Sequence, residues 1–301
     1  MSLLVTGSIG IDTVEAPSGK VVDALGGSSI YFAYAASFFC PVRLVGVVGE
    51  DCHADFLKPL RDHPRIDLSG LEVRAGSKTF RWHGRYHADV NHRDTVAVEL
   101  NVLGEAGPRV PPAFRDSRYV FLANSHPRLQ MELLSQLDAP AVVVADTMDL
   151  WIDSQREALL ELIAKLDGLV LNDSEAKSLT SLGNVIEAGT TLATMVRKFV
   201  VVKKGEHGSL LFTGGGVFPL SGYPSRRVVD PTGAGDCFAG AMMGYLASVG
   251  RLGPAVLRKA VAYGAVTASL AIEDFSLHRL VAASRQEIDQ RFRELRGMVR
   301  F

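Results

Sequence analysis

Residues 228–246 have the sequence Val-Val-Asp-Pro-Thr-Gly-Ala-Gly-Asp-Cys-Phe-Ala-Gly-Ala-Met-Met-Gly-Tyr-Leu, a pattern that changes halfway from a turn to a helix. Pro231 cannot continue a strand, and Gly233 and Gly235 allow backbone angles that other residues avoid. The second half is predicted to be a helix over about residues 236–249, ended by the glycine that follows. A glycine turn that opens a helix leaves N–H groups unpaired beside the positive end of the helix dipole. The stretch therefore predicts an anion site.

Asp236 is the unusual residue of this predicted site, because a carboxylate repels the anion that the site should bind. The conflict disappears if the anion is a phosphate under attack and Asp236 faces the attacking hydroxyl group as a general base. The N–H groups of Gly233, Ala234 and Gly235 would then neutralise the charge that develops on the phosphoryl group. The alternative is that Asp236 only caps its helix and the glycines only turn the chain.

The run Asp-x-Thr-Gly-Ala-Gly-Asp at 230–236, followed by small residues at 239–241, resembles the C-terminal signature of the ribokinase-like (PfkB) family of sugar and nucleoside kinases. The resemblance implies a ribokinase-like three-layer α/β/α sandwich, with a central, mostly parallel sheet and a small β-sheet lid. It also implies ATP and Mg²⁺, and transfer of the γ-phosphoryl group to a hydroxyl, usually a primary one, of a nucleoside or sugar. The chain has no Gly-x-x-x-x-Gly-Lys-Ser/Thr motif, so it would not be a P-loop kinase.

Length and composition are compatible with this class of protein. The 301 residues suit a single domain over residues 1–301, and a net charge of −1 with dispersed Lys and Arg argues against a nucleic-acid partner. The longest apolar-rich runs, 30–42 and 260–272, are too short to span a bilayer. Three irregularly spaced cysteines predict neither a disulfide framework nor a zinc site. We therefore expect a cytoplasmic protein without a nucleic-acid or membrane partner.

The middle of the chain alternates between strands and helices. Continuous apolar runs at 119–123, 141–145 and 168–172 are typical of parallel strands covered on both faces. The segments near 128–137 and 154–166 have a helical period. This alternation predicts a doubly wound sheet with right-handed crossovers.

Residues 78–103 have a different texture. Apolar and polar residues alternate at 79–86 and 95–101, as they do in half-exposed strands. This antiparallel excursion resembles the β lid of the family. The alternative is an ordinary edge hairpin, and we also allow for a homodimer formed through the lid.

Several N-terminal residues are assigned to the acceptor by the resemblance. Asp12 matches an Asp at the end of the first strand that holds acceptor hydroxyl groups, with a turn-forming residue as the alternative. Gly26 and Gly27 match a Gly-Gly pair that the family follows with a sugar-binding Asn. Tyr31 stands where that Asn would fall, so the family's usual sugar recognition is not expected here.

Aromatic residues favour a nucleoside over a free sugar as the acceptor. Tyr31 removes a polar contact and adds an aromatic face. In the lid, Phe80, Trp82 and Tyr86 are spaced so that their rings share one side of a strand, where a base could stack. The alternative is that these rings pack the lid against the body or a second subunit.

Two further motifs are assigned to Mg·ATP by the resemblance. Asn172 and Glu175 match the family's Asn-x-x-Glu motif, which organises Mg²⁺ and its waters. A helix start capped by Asp173 or Ser174 is the alternative explanation. The turn with Gly205 and Gly208 resembles the nucleotide-side turn, and the remaining residues expected to contact ATP are Lys203, Thr232, Gly233 and Gly235.

Three questions stay open at this stage. A monovalent cation near Asp230 is undecided, because the loop after the 260–272 helix lacks the family's usual glycine. A free-sugar kinase remains the alternative within the family. Two other classes also remain: a nicotinamide-dependent oxidoreductase, suggested by the glycines at 7–12, and a non-catalytic nucleotide sensor.

Overall fold

The computed structural model describes residues 2–300 of the chain. Its strands, numbered in chain order, are β1 (Leu3–Thr6), β2 (Gly10–Ala16), β3 (Gly19–Gly26), β4 (Val42–Gly49), β5 (Ile66–Arg74), β6 (Phe80–Tyr86), β7 (Arg93–Glu99), β8 (Tyr119–Leu122), β9 (Val142–Asp146), β10 (Gly168–Asn172), β11 (Phe199–Lys203), β12 (Ser209–Thr213) and β13 (Gly216–Leu220). Its α-helices are α1 (Ser28–Ser37), α2 (Lys58–Arg61), α3 (Pro127–Ser135), α4 (Asp149–Ser154), α5 (Arg156–Ile163), α6 (Asp173–Thr180), α7 (Val185–Met195), α8 (Ala234–Val249), α9 (Pro254–Ala271), α10 (His278–Ala282) and α11 (Arg285–Met298).

Nine strands form the large sheet, in the order β13-β12-β11-β10-β9-β8-β1-β4-β5. Neighbouring strands from β11 to β5 run parallel, and β11, β12 and β13 pair antiparallel at one edge. Helices α1, α8, α9 and α11 contribute to the core on one face, and α3, α5, α6 and α7 contribute to the core on the other. The predicted α/β/α sandwich with a mostly parallel sheet is confirmed.

Strand β1 shows why the continuous apolar runs become central strands. Leu3, Leu4 and Val5 are all fully buried. Leu3 and Val5 belong to the core that includes α1 and α8, whereas Leu4 belongs to the opposite core. Because successive side chains point to opposite faces, a strand covered on both sides needs an apolar residue at every position.

Small residues bring α8 close to α1, beside the predicted anion site. A Cβ atom on Gly240 would lie 2.3 Å from the carbonyl oxygen of Phe32, and one on Gly244 would lie 2.7 Å from that of Ala36. No other residue type fits such a close approach of two backbones. The glycines of α8 therefore fix where the helix lies on the sheet.

Four strands form the small sheet, in the order β3-β2-β6-β7. Strands β6 and β7 come from the predicted lid segment at 78–103, and β2 and β3 come from the first 26 residues. The local sequence pattern did not predict that β2 and β3 belong to the lid. The reason is that β2 pairs in parallel with a distant partner, Gly10 with Phe80 for example, and local patterns do not show such a pairing.

The first strand is followed by another strand rather than by a helix. Residues 7–9 lead from β1 directly into β2. A dinucleotide-binding unit needs a helix at this point, so the oxidoreductase alternative has no structural basis here. Asp12, which the resemblance placed at the end of the first strand, lies in β2 of the small sheet.

Both ends of α8 are set by glycines. The helix begins at Ala234, two residues before the predicted start, because Gly233 adopts a left-handed conformation (φ 74°) at its N-cap. Gly250 (φ 75°) ends it as predicted. The last helix begins after Ser284, whose side chain accepts the N–H of Glu287. Within residues 2–300, no helix combines the length and the apolar character needed to cross a bilayer.

Candidate active site

Asp236 lies in the first turn of α8, just after the glycine turn. Burial raises its pKa to about 6, while the cations Lys203 and Arg93 act in the opposite direction. A carboxyl group with this pKa is ionised at neutral pH and can still accept a proton from a hydroxyl group. The start of α8 is therefore suited to general-base catalysis.

Backbone N–H groups precede Asp236 in the turn. Those of Gly233 and Gly235 have no acceptor among residues 2–300. Ala234 differs from the prediction, since its N–H donates to the carbonyl oxygen of Pro231 at 3.2 Å and so closes the turn. Two of the three predicted donors are thus available to an anion.

Lys203, at the end of β11, lies over the start of α8. A Cβ atom on Gly235 would fall 2.6 Å from Nζ of Lys203, so the ammonium group lies directly against the backbone of the turn. The charge of Lys203 also lowers the pKa values of Asp146 and Glu175. The charge of Lys203 therefore favours the ionised forms of three carboxyl groups, those of Asp146, Glu175 and Asp236.

Asp146 ends β9 at the same edge of the sheet. It is 6% exposed, and its Oδ1 has no hydrogen-bond partner among the described residues. Burial and the nearby Asp236 raise its pKa well above the usual range, and Lys203 opposes them. No role was predicted for Asp146 from the sequence. Its position at the carboxyl end of an apolar parallel strand is nevertheless where such sheets bind ligands.

Asn172 and Glu175 form a reciprocal capping box at the start of α6. The side-chain oxygen of Asn172 accepts the Glu175 N–H at 2.8 Å, and Oε2 of Glu175 accepts the Asn172 N–H at 2.7 Å. The cap is therefore Asn172 rather than Asp173 or Ser174. Burial raises the pKa of Glu175 to about 7, and Lys203 opposes this effect.

Asp12 is a further buried acid of the site, and it lies on the small sheet. It is 4% exposed, and its Oδ1 has no partner among the described residues. Burial and the charges of Asp230 and Asp236 raise its pKa to about 7, while the Gly27 N–H lowers it. A Cβ atom on Gly26 would lie 1.9 Å from Oδ2 of Asp12. Both predicted glycines are thus beside the carboxyl group.

Tyr31 packs beneath the anion turn. Its side chain is 2% exposed, and a Cβ atom on Gly233 would lie 2.3 Å from its Cγ. This differs from the expectation of an open aromatic face, because the turn covers the ring. Tyr31 supports Gly233 instead.

The lid aromatics occupy two different positions. Phe80 and Trp82 lie over Gly10 and Gly84, where a Cβ atom would come within 2.8 and 1.9 Å of their rings. Both share the sheet face of the Asp12 carboxyl group, as alternate residues of paired strands do. The hydroxyl of Tyr86 instead accepts a hydrogen bond from Oγ1 of Thr232 at 3.1 Å.

Gly205 and Gly208 shape the turn after β11, and both have positive φ angles (54° and 87°). The N–H of Lys204 donates to the Gly208 carbonyl oxygen at 2.8 Å. A Cβ atom on Gly208 would lie 2.0 Å from the Leu220 carbonyl oxygen. The turn therefore requires glycine, as its resemblance to a nucleotide-side turn implied.

A comparison with protein families identifies the family of this chain. The model described as pfkB family carbohydrate kinase matches residues 13–280. The chain belongs to the pfkB family. The Thermococcus kodakarensis protein named cytidine kinase is 30% identical to this pfkB protein over 256 residues, which are 83% of this chain and 89% of that one.

Solved structures share the fold of this pfkB protein. One is the Burkholderia thailandensis nucleoside kinase in complex with inosine (TM-score 0.78, 21% identity, 98% of each chain covered). Another is an E. coli protein described as a ribokinase II in complex with ATP and Mg²⁺ (TM-score 0.79, 18% identity, 97% of this chain and 99% of that one). Identities below 25% establish the ribokinase-like fold alone.

The pfkB site fits Mg²⁺ bound to a nucleotide better than Mg²⁺ bound by protein side chains. Within residues 2–300, no group of three or more His, Cys, Asp or Glu side chains could hold a metal ion. Yet Asp146 and Glu175 are buried and carry raised pKa values beside a single lysine. A nearby cation lowers such pKa values, so both groups would ionise beside a hydrated Mg²⁺ that takes its other ligands from phosphate oxygens.

Proposed function

We propose that this pfkB protein is a Mg·ATP-dependent kinase that phosphorylates a hydroxyl group, usually the primary one, of a nucleoside. The observation that carries the proposal is the place of Asp236. Its carboxyl group, with a pKa of about 6, lies at the N-terminus of α8 beside two N–H groups that have no acceptor among residues 2–300. A base and an anion site in one helix turn are what phosphoryl transfer to a hydroxyl requires.

The reaction balances with these groups alone. The acceptor hydroxyl gives its proton to Asp236 while its oxygen forms a bond to the γ-phosphorus. The bond between that phosphorus and the bridging oxygen of ATP breaks, and its electron pair leaves with ADP. The N–H groups of Gly233 and Gly235 stabilise the charge on the phosphoryl oxygens, with Ala234 joining them only if its bond to Pro231 opens.

The nucleotide would lie along the carboxyl edge of the large sheet. Lys203 supplies positive charge there, and the turn with Gly205 and Gly208 lets a ligand approach the backbone closely. Residues proposed to contact ATP are Asn172, Lys203, Gly205, Gly208, Thr232, Gly233 and Gly235. Mg²⁺, when bound, neutralises phosphate charge, and Asn172 and Glu175 would hold its waters.

The acceptor would lie between Asp236 and the lid. The buried oxygens of Asp12 can accept hydrogen bonds from ribose hydroxyls, and Gly26 and Gly27 leave the necessary space. Phe80 and Trp82 share the Asp12 face of the lid and can stack against a base. Tyr31 contributes by filling the space beneath Gly233. The cytidine kinase relative also supports a nucleoside over a free sugar.

Three finer assignments concern a cation, an interface and the location of the protein. Asp230 is 1% exposed, and its Oδ2 has no partner among the described residues, so a monovalent cation could neutralise it. Exposed Val96 and Val98 on β7 could join two lids in a homodimer. The unpaired thiols of Cys40, Cys52 and Cys237 support a cytoplasmic location.

The deciding experiment compares kcat/KM for cytidine and inosine with that for ribose and fructose, under saturating Mg·ATP. We expect the best nucleoside to exceed the best free sugar. The Trp82→Ala variant should lower the nucleoside value by about 5- to 150-fold, the equivalent of ~1–3 kcal/mol of stacking, and change the ribose value little. A free sugar that outperforms every nucleoside would show that the acceptor assignment is wrong.

A further inference from the structure

We propose that Arg93, the first residue of lid strand β7, is a further catalytic residue whose guanidinium group binds the phosphoryl group during its transfer. This inference rests on the proposed kinase function and adds a residue that neither the sequence motifs nor the comparisons point to. It is argued from the position of Arg93, from the pairing of the other lid cations and from the charge of the site.

Arg93 lies where the lid meets the catalytic turn. It is the register partner of Tyr86, whose hydroxyl group accepts the hydrogen bond from Thr232. Its guanidinium carbon lies 5.3 Å from the centre of the Trp82 ring, on the same lid face. The side chains of Tyr86 and Thr232 thus lie between the guanidinium group and the glycine turn.

The other Lys and Arg side chains of the lid strands are already paired. Lys20 and Arg85 contact Glu15 at 2.9 and 2.6 Å. Arg81 contacts Asp23 and Asp51 at 3.0 and 3.4 Å. Arg93, by contrast, is within salt-bridge distance of no carboxylate in residues 2–300, and its guanidinium group faces the Trp82 ring and the Tyr86 hydroxyl group instead.

The charge of Arg93 nevertheless acts across the whole site. It lowers the pKa values of Asp12, Asp236 and Glu175, which lie at the acceptor end, the centre and the metal end. Lys203, on the large sheet, acts on two of these three groups, Asp236 and Glu175. Arg93 on the lid and Lys203 on the large sheet thus bring positive charge to the site from two different sheets.

A guanidinium group suits this place. Its planar fork can donate to two phosphoryl oxygens at once, and the charge of the transition state is spread over those oxygens. The segment just before Arg93 already reaches the nucleotide side, since a Cβ atom on Gly205 would fall 3.0 Å from Oδ1 of Asn91. Closure of the lid would bring Arg93 from the Trp82 ring onto the phosphoryl oxygens. The residue gains and loses no proton in this step.

The test compares Arg93→Ala and Arg93→Lys with Arg85→Ala, the matched exposed arginine of the neighbouring strand. We expect Arg93→Ala to lower kcat about 10²–10³-fold with KM for ATP changed little, as loss of a transition-state donor does. Arg93→Lys should recover only part of this rate, because an ammonium group cannot bind two oxygens in a fork. Added guanidinium ion should partly restore Arg93→Ala, and Arg85→Ala should remain near wild type.

A pH profile separates this role from mere packing. Asp236 faces Lys203 on β11, Arg93 on β7, Asp146 on β9 and Asp12 on β2. Removal of Arg93 takes away a cation that lowers the Asp236 pKa, so the acid limb of kcat/KM should move upward from about 6. A packing role for Arg93 would move the melting temperature instead, with no shift of the limb and no rescue by guanidinium.

The two proposals can fail separately. Wild-type turnover of a nucleoside is measured first in the same assay, and its absence would contradict the proposed function. If the wild type is active but Arg93→Ala keeps kcat within about threefold, or loses no more than Arg85→Ala, the inference about Arg93 is overturned. Arg93→Gln, which keeps length and polarity, repeats the comparison should Arg93→Ala melt at a lower temperature.

Discussion

Two opposing effects act on the carboxyl group of Asp236. Burial raises its pKa, and Lys203 and Arg93 partly reverse the shift, which leaves the value at about 6. Without the cations the carboxyl group would be protonated near neutral pH, and without burial it would be a weaker base. The balance between them makes one carboxylate useful as a catalyst.

Replacement of Asp236 by Asn is expected to lower kcat by about 10²–10⁴-fold, because an amide cannot accept the proton of the hydroxyl group. ATP affinity should change little, and the melting temperature should not fall, because the substitution removes a buried charge whose pKa is raised to about 6. In the wild type, kcat/KM should rise with pH up to about 6, the range over which Asp236 loses its proton. A well-folded Asp236→Asn enzyme with near-normal kcat would remove Asp236 from the role of base.

The buried charge of Asp12 lowers the stability of the protein, while the same carboxyl group is proposed to bind the acceptor. Its folded-state pKa of about 7 is higher than the ordinary value, so folding takes up a proton between about pH 4 and 7 and stability falls as the pH rises through that range. Asp12→Asn has no such dependence. We expect the variant to be more stable than the wild type at about pH 8, by on the order of 2–4 kcal/mol, and to lose acceptor binding.

Thermal unfolding at two pH values checks this prediction. The advantage of Asp12→Asn should nearly vanish at about pH 3, where the carboxyl group is protonated in both the folded and the unfolded state. An advantage of equal size at both pH values would mean that the charge of Asp12 is not its cause.

At the scale of elements, helix α6 combines two roles in one acidic residue. Glu175 completes the capping box with Asn172, and its carboxyl group faces Lys203 at the proposed Mg²⁺ site. The capping role depends on an acceptor oxygen, whereas the metal role depends on charge. A substitution that keeps the oxygen and removes the charge therefore separates them.

Glu175→Gln is that substitution. We expect its melting temperature to be no lower than that of the wild type, because Gln also serves at this position of a capping box and the substitution removes a buried charge whose pKa is raised to about 7. The Mg²⁺ concentration for half-maximal rate should rise more than KM for the acceptor does. Glu187→Gln, in the first turn of α7, is the matched control and should change neither value. An unchanged Mg²⁺ dependence in Glu175→Gln would leave Glu175 with the capping role alone.

At the scale of the whole molecule, two sheets of unequal burial are joined at the active site. The strands at the centre of the large sheet are covered on both faces, whereas every residue of β7 is exposed. Few contacts oppose local opening of such an edge strand. The lid can therefore open while the sandwich stays intact.

Hydrogen exchange tests this difference. Amides of β6 and β7 should exchange faster than those of β1 and β8 in the ligand-free protein, and addition of a nucleoside with ADP should slow the lid strands selectively. Strand β5, the edge of the large sheet, serves as the control and should not respond. Equal protection of lid and core without ligands would argue against a mobile lid.

The sequence alone determined the elements whose chemistry is local. Only glycine suits the left-handed backbone at 233, and the turn there implies a helix start with unpaired donors. Continuous apolar runs predicted β8, β9 and β10, because a strand covered on both faces has no polar side. The cap of α6 was not predicted correctly, since the sequence suggested Asp173 or Ser174 where the structure has Asn172.

The tertiary structure decided which residues meet. Strands β2 and β3 joined the lid through a pairing that is distant along the chain, and this pairing carried Asp12 to the acceptor side. Arg93 entered the site only through the packing of the lid edge, whereas the position of Asp146 at the end of an apolar strand was visible in the sequence. Tyr31 lost its open face because the glycine turn folded over it. Such contacts depend on the packing of distant elements, and the pattern of any one segment carries no record of them.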